Sequence, residues 1–164
     1  MPYTALQSMI DGPEDKIPLR GYYRFSFIDT MTDGCLDTIL ASANAAPSLL
    51  SGVLLQPLGG EFGRVGAMET ALGHRDADWG IQVLAQWLEP EKDTANRNWV
   101  RAFTDALSPW ARPAGFPNFI ADANDAAGVR SAYGAERYAR LVEVKDAWDP
   151  ENVFRLNHNI EPSA

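Results

Sequence analysis

Residues 22–28 alternate Tyr23, Phe25 and Phe27 with Tyr22, Arg24 and Ser26, the two-residue period of a strand with one apolar face. Asp33 then offers an N-cap, and Leu36, Ile39, Leu40 and Ala43 recur at helical spacing until Pro47 forbids continuation. The short apolar run 53–56, bounded by Gly52 and Pro57, reads as a second strand. The glycine-rich segment 59–66 reads as a turn or hairpin, because no Lys-Ser/Thr pair and no helical pattern follow its glycines. Over 79–88, Ile81, Val83, Ala85 and Trp87 make one face wholly apolar, whereas Gln82, Leu84, Gln86 and Leu88 make the other mixed. Asp93 or Thr94 caps a long amphipathic helix with Trp99, Val100, Phe103, Ala106, Leu107 and Trp110 on one stripe. A Pro/Gly break at 113–115 precedes a further strand at 116–120, and 121–128 reads as an acidic, alanine-rich connector. Tyr138, Leu141, Val142 and Trp148 suggest a last helix from about Gly134 to Ala147, stopped by Asp149-Pro150 before a packed tail at 153–156.

This order, strand-helix-strand-strand-helix-strand, is that of an α+β, ferredoxin-like βαββαβ sandwich, with helices on one face of an antiparallel sheet and an extra C-terminal helix and tail. Residues 1–21, with turn and breaker residues and no sustained period, form an irregular lead-in, and 22–132 the sandwich. The mixed face of Gln82, Leu84, Gln86 and Leu88 is too apolar for water alone, which implies a ligand or partner over it. At 164 residues the chain is long enough for one domain with its own core. A formal charge of -8 has the wrong sign for a nucleic-acid partner. The apolar runs are too short to span a membrane and the first residues lack a secretory pattern, so the expected location is cytoplasmic. Cys35 is the single cysteine and His74 and His158 the two histidines, so neither a disulfide framework nor a metal site is expected.

Motif spacing assembles no catalytic constellation: there is no Gly-x-Ser-x-Gly elbow, no His-Glu-x-x-His and no dinucleotide fingerprint. His74, Arg75, Asp76 and Asp78 form a polar cluster at a strand entry, which reads as capping and surface pairing, with an acid-base site as the rival. Cys35 lies near the start of a predicted helix, where a thiol can be acidified. With no partner close in sequence, it reads as a small buried side chain.

The C-terminus is more specific. It runs Tyr133-Gly134-Ala135-Glu136-Arg137-Tyr138-Ala139-Arg140-Leu141, then Asp149-Pro150-Glu151-Asn152-Val153-Phe154-Arg155-Leu156-Asn157-His158-Asn159-Ile160. This resembles the closing signature of berberine bridge enzyme-like FAD-linked oxidoreductases, flavoproteins of the vanillyl-alcohol oxidase type. The segments at 2–9, 59–65 and 73–75 are similar to the same family. The resemblance therefore covers nearly the whole chain, with 133–164 as the family's C-terminal segment, and without the family's FAD-binding domain. It implies a substrate-binding domain whose ferredoxin-like sheet faces the flavin. The implied reaction is oxidation of an alcohol, sugar or amine carbon, with hydride passing to the flavin.

Residue by residue, the resemblance places Gln82 where the family sets a Glu or Gln over substrate and flavin; an ordinary solvent-facing strand glutamine is the rival reading. Phe116 stands where the family carries a tyrosine that serves as base or substrate-facing hydroxyl, and phenylalanine has no ionisable group. Asn118, Asn157 and Asn159 correspond to cofactor-side positions, against the simpler reading of turn-stabilising asparagines. His158 replaces a common glutamine, and the His74-Arg75 pair reads as structural. FAD is expected only if a partner supplies its binding domain. The expected partners are an FAD-binding subunit or a second copy, through the open sheet face, together with a small-molecule substrate. Without such a partner the chain is expected to be inactive. The alternative is a non-catalytic small-molecule-binding or scaffold protein that retained the fold.

Overall fold

The computed structural model describes residues 1–8, 18–120 and 126–163. Along them run α1 (Tyr3–Gln7), β1 (Arg20–Ile28), α2 (Asp33–Asn44), β2 (Gly52–Pro57), α3 (Glu61–Arg64), β3 (Trp79–Trp87), α4 (Asp93–Leu107), α5 (Ala126–Tyr133) and α6 (Ala135–Trp148). The strands form an antiparallel sheet of order β1-β3-β2, so the class is α+β as the periodicity predicts. β3 is central. It pairs with β1 from Arg20 opposite Trp87 to Ile28 opposite Trp79, and with β2 from Gly52 opposite Leu84 to Pro57 opposite Trp79.

Directly opposed residues of an antiparallel pair share a face, so this register sorts the side chains. Ile81, Val83, Ala85 and Trp87 point to one side with Tyr22 and Ile28 of β1. They form the main core with Cys35 and Ile39 of α2 and Trp99, Val100, Phe103 and Leu107 of α4. Helices α2 and α4 thus cover one face of the sheet. The aromatic alternation in β1 faces the other way. Phe25 and Phe27 join Ala77 in a second cluster on the side opposite the helices, with Leu58, Phe116 and Phe119 packed over it. A period of two identifies two faces but not which is the thicker core, so both faces of β1 are partly apolar.

The expected strand at 116–120 does not form. Pro117 lacks the N–H that a ladder needs, and Pro117–Phe119 closes a 3-10 turn in which Phe119 N donates to Phe116 O at 2.9 Å. Contact with the sheet is made upstream, where Ala111 bridges Ile28 and Arg112 N donates to Phe27 O at 2.9 Å. Other expectations are corrected locally. The N-cap of α2 is Thr32, whose hydroxyl accepts from Cys35 N, and not Asp33. Asp93 opens α4 but spends its carboxylate on Arg20 and the Trp87 indole instead of capping. Ala106 is exposed, off the buried stripe. The lead-in contains a five-residue helix, and the glycine segment one helical turn at Glu61–Arg64. The expected connector 121–128 is helical from Ala126 on, and 121–125 lie outside the described residues. Helix α6 forms where predicted, with Tyr138 buried but Trp148 exposed.

Candidate functional site

The face of the sheet turned away from α2 and α4 is the candidate site. The register places on it Tyr23, Phe25 and Phe27 from β1, Gly80, Gln82, Leu84 and Gln86 from β3, and Leu54 and Gln56 from β2. Two glycines shape it. A side chain at Gly80 would run into the Phe25 ring, and one at Gly21 into the Tyr23 hydroxyl. The ring of Phe25 therefore leans over Gly80, and that of Tyr23 leans back over Gly21, leaving the stretch between them around Gln82 and Leu84. Phe25 is held by its neighbours: it stacks on Phe119 at 5.6 Å and 10°, and meets Phe27 edge-on at 5.0 Å. Such aromatic pairs prefer offset and edge contacts, so one end of the open face is a fixed wall.

Gln82 is half-buried at the centre of this face, between Phe25 and Leu54 on the flanking strands. Its amide makes no hydrogen bond among the described residues. Gln86, by contrast, donates from Nε2 to Tyr23 Oη at 3.5 Å. Phe116 lies at the same end, with its ring 5.5 Å from that of Phe25. Gln82 and Phe116 are thus linked through one aromatic residue. Asn118 belongs to the turn that carries Phe119, whereas Asn157 and Asn159 belong to the C-terminal segment. Asn118 is exposed in the 3-10 turn, and Asn157 is exposed with φ 60°. Asn159 buries an Oδ1 that has no donor, as Asn152 does, and His158 buries an unpartnered Nδ1. The alternation of β2 and β3 could have revealed Gln56 as a further amide on the open face; the sequence reading did not single it out.

The polar cluster at 74–78 resolves into structural contacts. Arg112 donates to both carboxylates beside it, through Nε to Asp29 at 2.7 Å and Nη1 to Asp76 at 2.8 Å, with a further short Nη2 contact to Asp29. Those bonds hold the Asp76 carboxyl below its ordinary range and raise the Arg112 guanidinium. His74 Nε2 lies 3.4 Å from Ser131 O, and Arg75 binds Thr70 Oγ1 and Phe62 O. Cys35 is fully buried, and burial pushes its thiol up, opposite to activation. Among the described residues no group of His, Cys, Asp and Glu could hold a metal ion, and no helix is long and apolar enough to cross a membrane.

The C-terminal segment is organised by Lys145 and Asp149, an i,i+4 ion pair with both side chains only 11% exposed. Asp149 also accepts from Val153 N at 2.7 Å and Phe154 N at 3.1 Å, and Lys145 Nζ donates to Phe154 O at 2.7 Å. Paired this way, the Asp149 carboxyl sits below its ordinary range, chiefly through Lys145. The tail expected to pack at 153–156 does not, because these backbone bonds turn its apolar side chains outward: Phe154 is 81% and Leu156 84% exposed. Helix α6 is tied to the rest by Arg137, which donates to Ala67 O at 2.6 Å, and by Arg140, which donates to Met68 O at 3.2 Å.

A small antiparallel sheet with helices on one side leaves a neutral amide-and-aromatic face on the other, an α+β arrangement. Comparison with known proteins shows what the chain is similar to. Residues 119–161 match the family described as "Berberine and berberine like". The chain is 30% identical over 162 residues to the uncharacterized FAD-linked oxidoreductase YgaK of Bacillus subtilis, covering 98% of this chain and 35% of that protein. It is 26% identical over 143 residues to aclacinomycin-N/aclacinomycin-A oxidase of Streptomyces galilaeus, covering 76% and 26%. The fold matches berberine bridge enzyme from Eschscholzia californica with a TM-score of 0.77 at 19% identity, covering 89% of this chain and 34% of that one. The chain resembles the C-terminal part of berberine bridge enzyme-like FAD-linked oxidoreductases, and spans about a third of the length of the curated relatives it matches.

Proposed function

We propose that this chain is the substrate-binding and C-terminal portion of an FAD-dependent oxidoreductase that oxidises an alcohol, sugar or amine carbon, and that it is inactive without a separate FAD-binding portion. The observation that carries the reading is the open sheet face, where an unpaired Gln82 amide lies beside a fixed aromatic wall. The residues present fit one side of a flavin and not its phosphates. The face is neutral and open, and Asn118 and Asn157 are exposed to a partner, but the glycine segment is spent on the short α3, where Arg64 pairs with Glu61. The flavin, when bound, would accept hydride from the substrate carbon.

The chain's own residues bind and orient. The Gln82 amide can donate to and accept from a substrate hydroxyl, but it does not take up a proton near neutral pH. Phe116 has no ionisable group and is packed against Phe25. Neither Gln82 nor Phe116 therefore serves as the proton acceptor. Asn118, Asn157 and Asn159 are assigned to the cofactor side, and the partner, an FAD-binding subunit or a second copy, to the open sheet face. The packing of Phe116 supports a second reading, a non-catalytic small-molecule-binding or scaffold protein that retained the fold. The two are separated by isolating the protein from its native host and recording its visible absorbance and native mass. Flavin absorbance with an additional subunit is expected; a colourless assembly of this chain alone would favour the second reading.

A further inference from the structure

The strands carry two charged side chains, Arg20 and Arg24, and the register puts both on the helix side of β1. Arg20 is paired there with Asp93, and Arg24 reaches Thr104 at 3.4 Å. The open face is left with amides, one phenol and apolar groups. Two of its amides are unpaired. Gln56 opposes Gly80, two residues from Gln82, so Gln56 and Gln82 are diagonal neighbours across β2 and β3, a spacing of roughly 7–8 Å. Neither makes a hydrogen bond to another described residue. Leu54 and Leu84 lie beside them on the same face.

We infer that this face receives a neutral, hydroxyl-bearing molecule held between the Gln56 and Gln82 amides, and that it discriminates against amines in their ammonium form. Each amide both donates and accepts, which is what a hydroxyl requires, since a hydroxyl does both. An ammonium has donors only and carries a charge. Set over this face it would exchange water for side chains that hold no carboxylate, a penalty that a neutral alcohol does not incur. The inference rests on the reading of the open face as the substrate side, and it narrows the alcohol, sugar or amine range to the first two.

The test uses two ligands of nearly the same shape, benzyl alcohol and benzylammonium, titrated into the isotope-labelled full chain while the glutamine side-chain amide signals are followed by NMR. Benzyl alcohol is expected to shift the Gln56 and Gln82 signals and to bind about tenfold more tightly than the ammonium. Gln56→Leu and Gln82→Leu are each expected to weaken the alcohol about fivefold, the loss of one hydrogen bond. Gln82→Glu, which keeps the shape and adds a charge, is expected to reverse the ranking. Equal or tighter binding of the ammonium by the unaltered chain overturns the inference, as does alcohol binding that ignores both leucine variants or leaves the amide signals unmoved. The spectrum and native mass of the host-isolated protein are a separate measurement. A flavin complex whose open face fails these titrations would sink this inference and leave the oxidoreductase reading standing.

Discussion

At Gly80 the absence of a side chain is what lets Phe25 lie flat along the open face. Any Cβ at that position would enter the ring's own space, and the ring cannot retreat easily because Phe27, Phe116 and Phe119 surround it. Gly80→Ala is therefore expected to cost about 1–3 kcal/mol by overpacking, read as a lowered midpoint in chemical denaturation. Gly52, on the same face of β2, has nothing within 4 Å of an added Cβ. Gly52→Ala is expected to be neutral or to stabilise by about 0.5 kcal/mol, because alanine gives up less backbone freedom on folding. Equal losses at the two positions would mean that Phe25 does not lie where its packing puts it. The alternation of residues in β3 alone was enough to place Gln82 on the mixed face. The roles of the two glycines, and the diagonal placement of Gln56 beside Gln82, depend on which residues of three separate strands stand opposite each other. No local pattern carries that information.

Between elements, Arg112 is the strap that holds the segment after α4 to the edge of β1. Its backbone N–H bonds Phe27 O while its guanidinium, 20% exposed, spans Asp29 and Asp76. The same segment leads on to Phe116 and so to the wall of the open face. Arg112→Met is expected to cost about 1 kcal/mol, since both carboxylates are well exposed and solvent screens them, and to loosen the packing of Phe116. The pH dependence follows from the lowered Asp76 carboxyl. Because it titrates lower in the folded chain, the unfolded chain binds the proton first as pH falls. The contribution is full above about pH 4, the unfolded carboxyl's range, and is lost as pH drops through the folded value. Urea midpoints of the parent chain and Arg112→Met at about pH 7 and about pH 3 should converge at the acid end; a constant gap would remove Asp76 from the strap. Strands β1 and β3 and helices α2, α4 and α6 were legible because each carries a sustained period, and β2 because Gly52 and Pro57 bound a short apolar run. The strap was not, because its ends, Asp29, Asp76 and Arg112, are far apart in sequence. The expected fourth strand failed for a local reason, since Pro117 falls where a ladder donor would be needed.

On the scale of the whole molecule, two surfaces stand out as uncovered by the described residues. One is the open sheet face, half-buried and carrying Leu84 and Gln82; the other is the C-terminal turn, where Trp148, Phe154 and Leu156 are each more than 80% exposed. The second is not a frayed end. Lys145 and Asp149 pin the backbone of Val153 and Phe154, so the backbone that carries Phe154 needs no further ordering on contact. Apolar groups held outward together mark an association site. The isolated chain is therefore expected to self-associate with rising concentration in sedimentation experiments. Phe154→Ser with Leu156→Ser should weaken that association about tenfold or more, the effect of removing about 1.4 kcal/mol of apolar burial. Leu84→Ser tests the other surface, and is expected to weaken association as well if partners dock on the sheet. A chain whose assembly responds to the C-terminal pair and ignores Leu84 would use the turn alone. The open face would then be left free for the small molecule, and the assignment of a partner to it would fall. A chain that stays monomeric at every concentration would show that neither surface recruits a second copy.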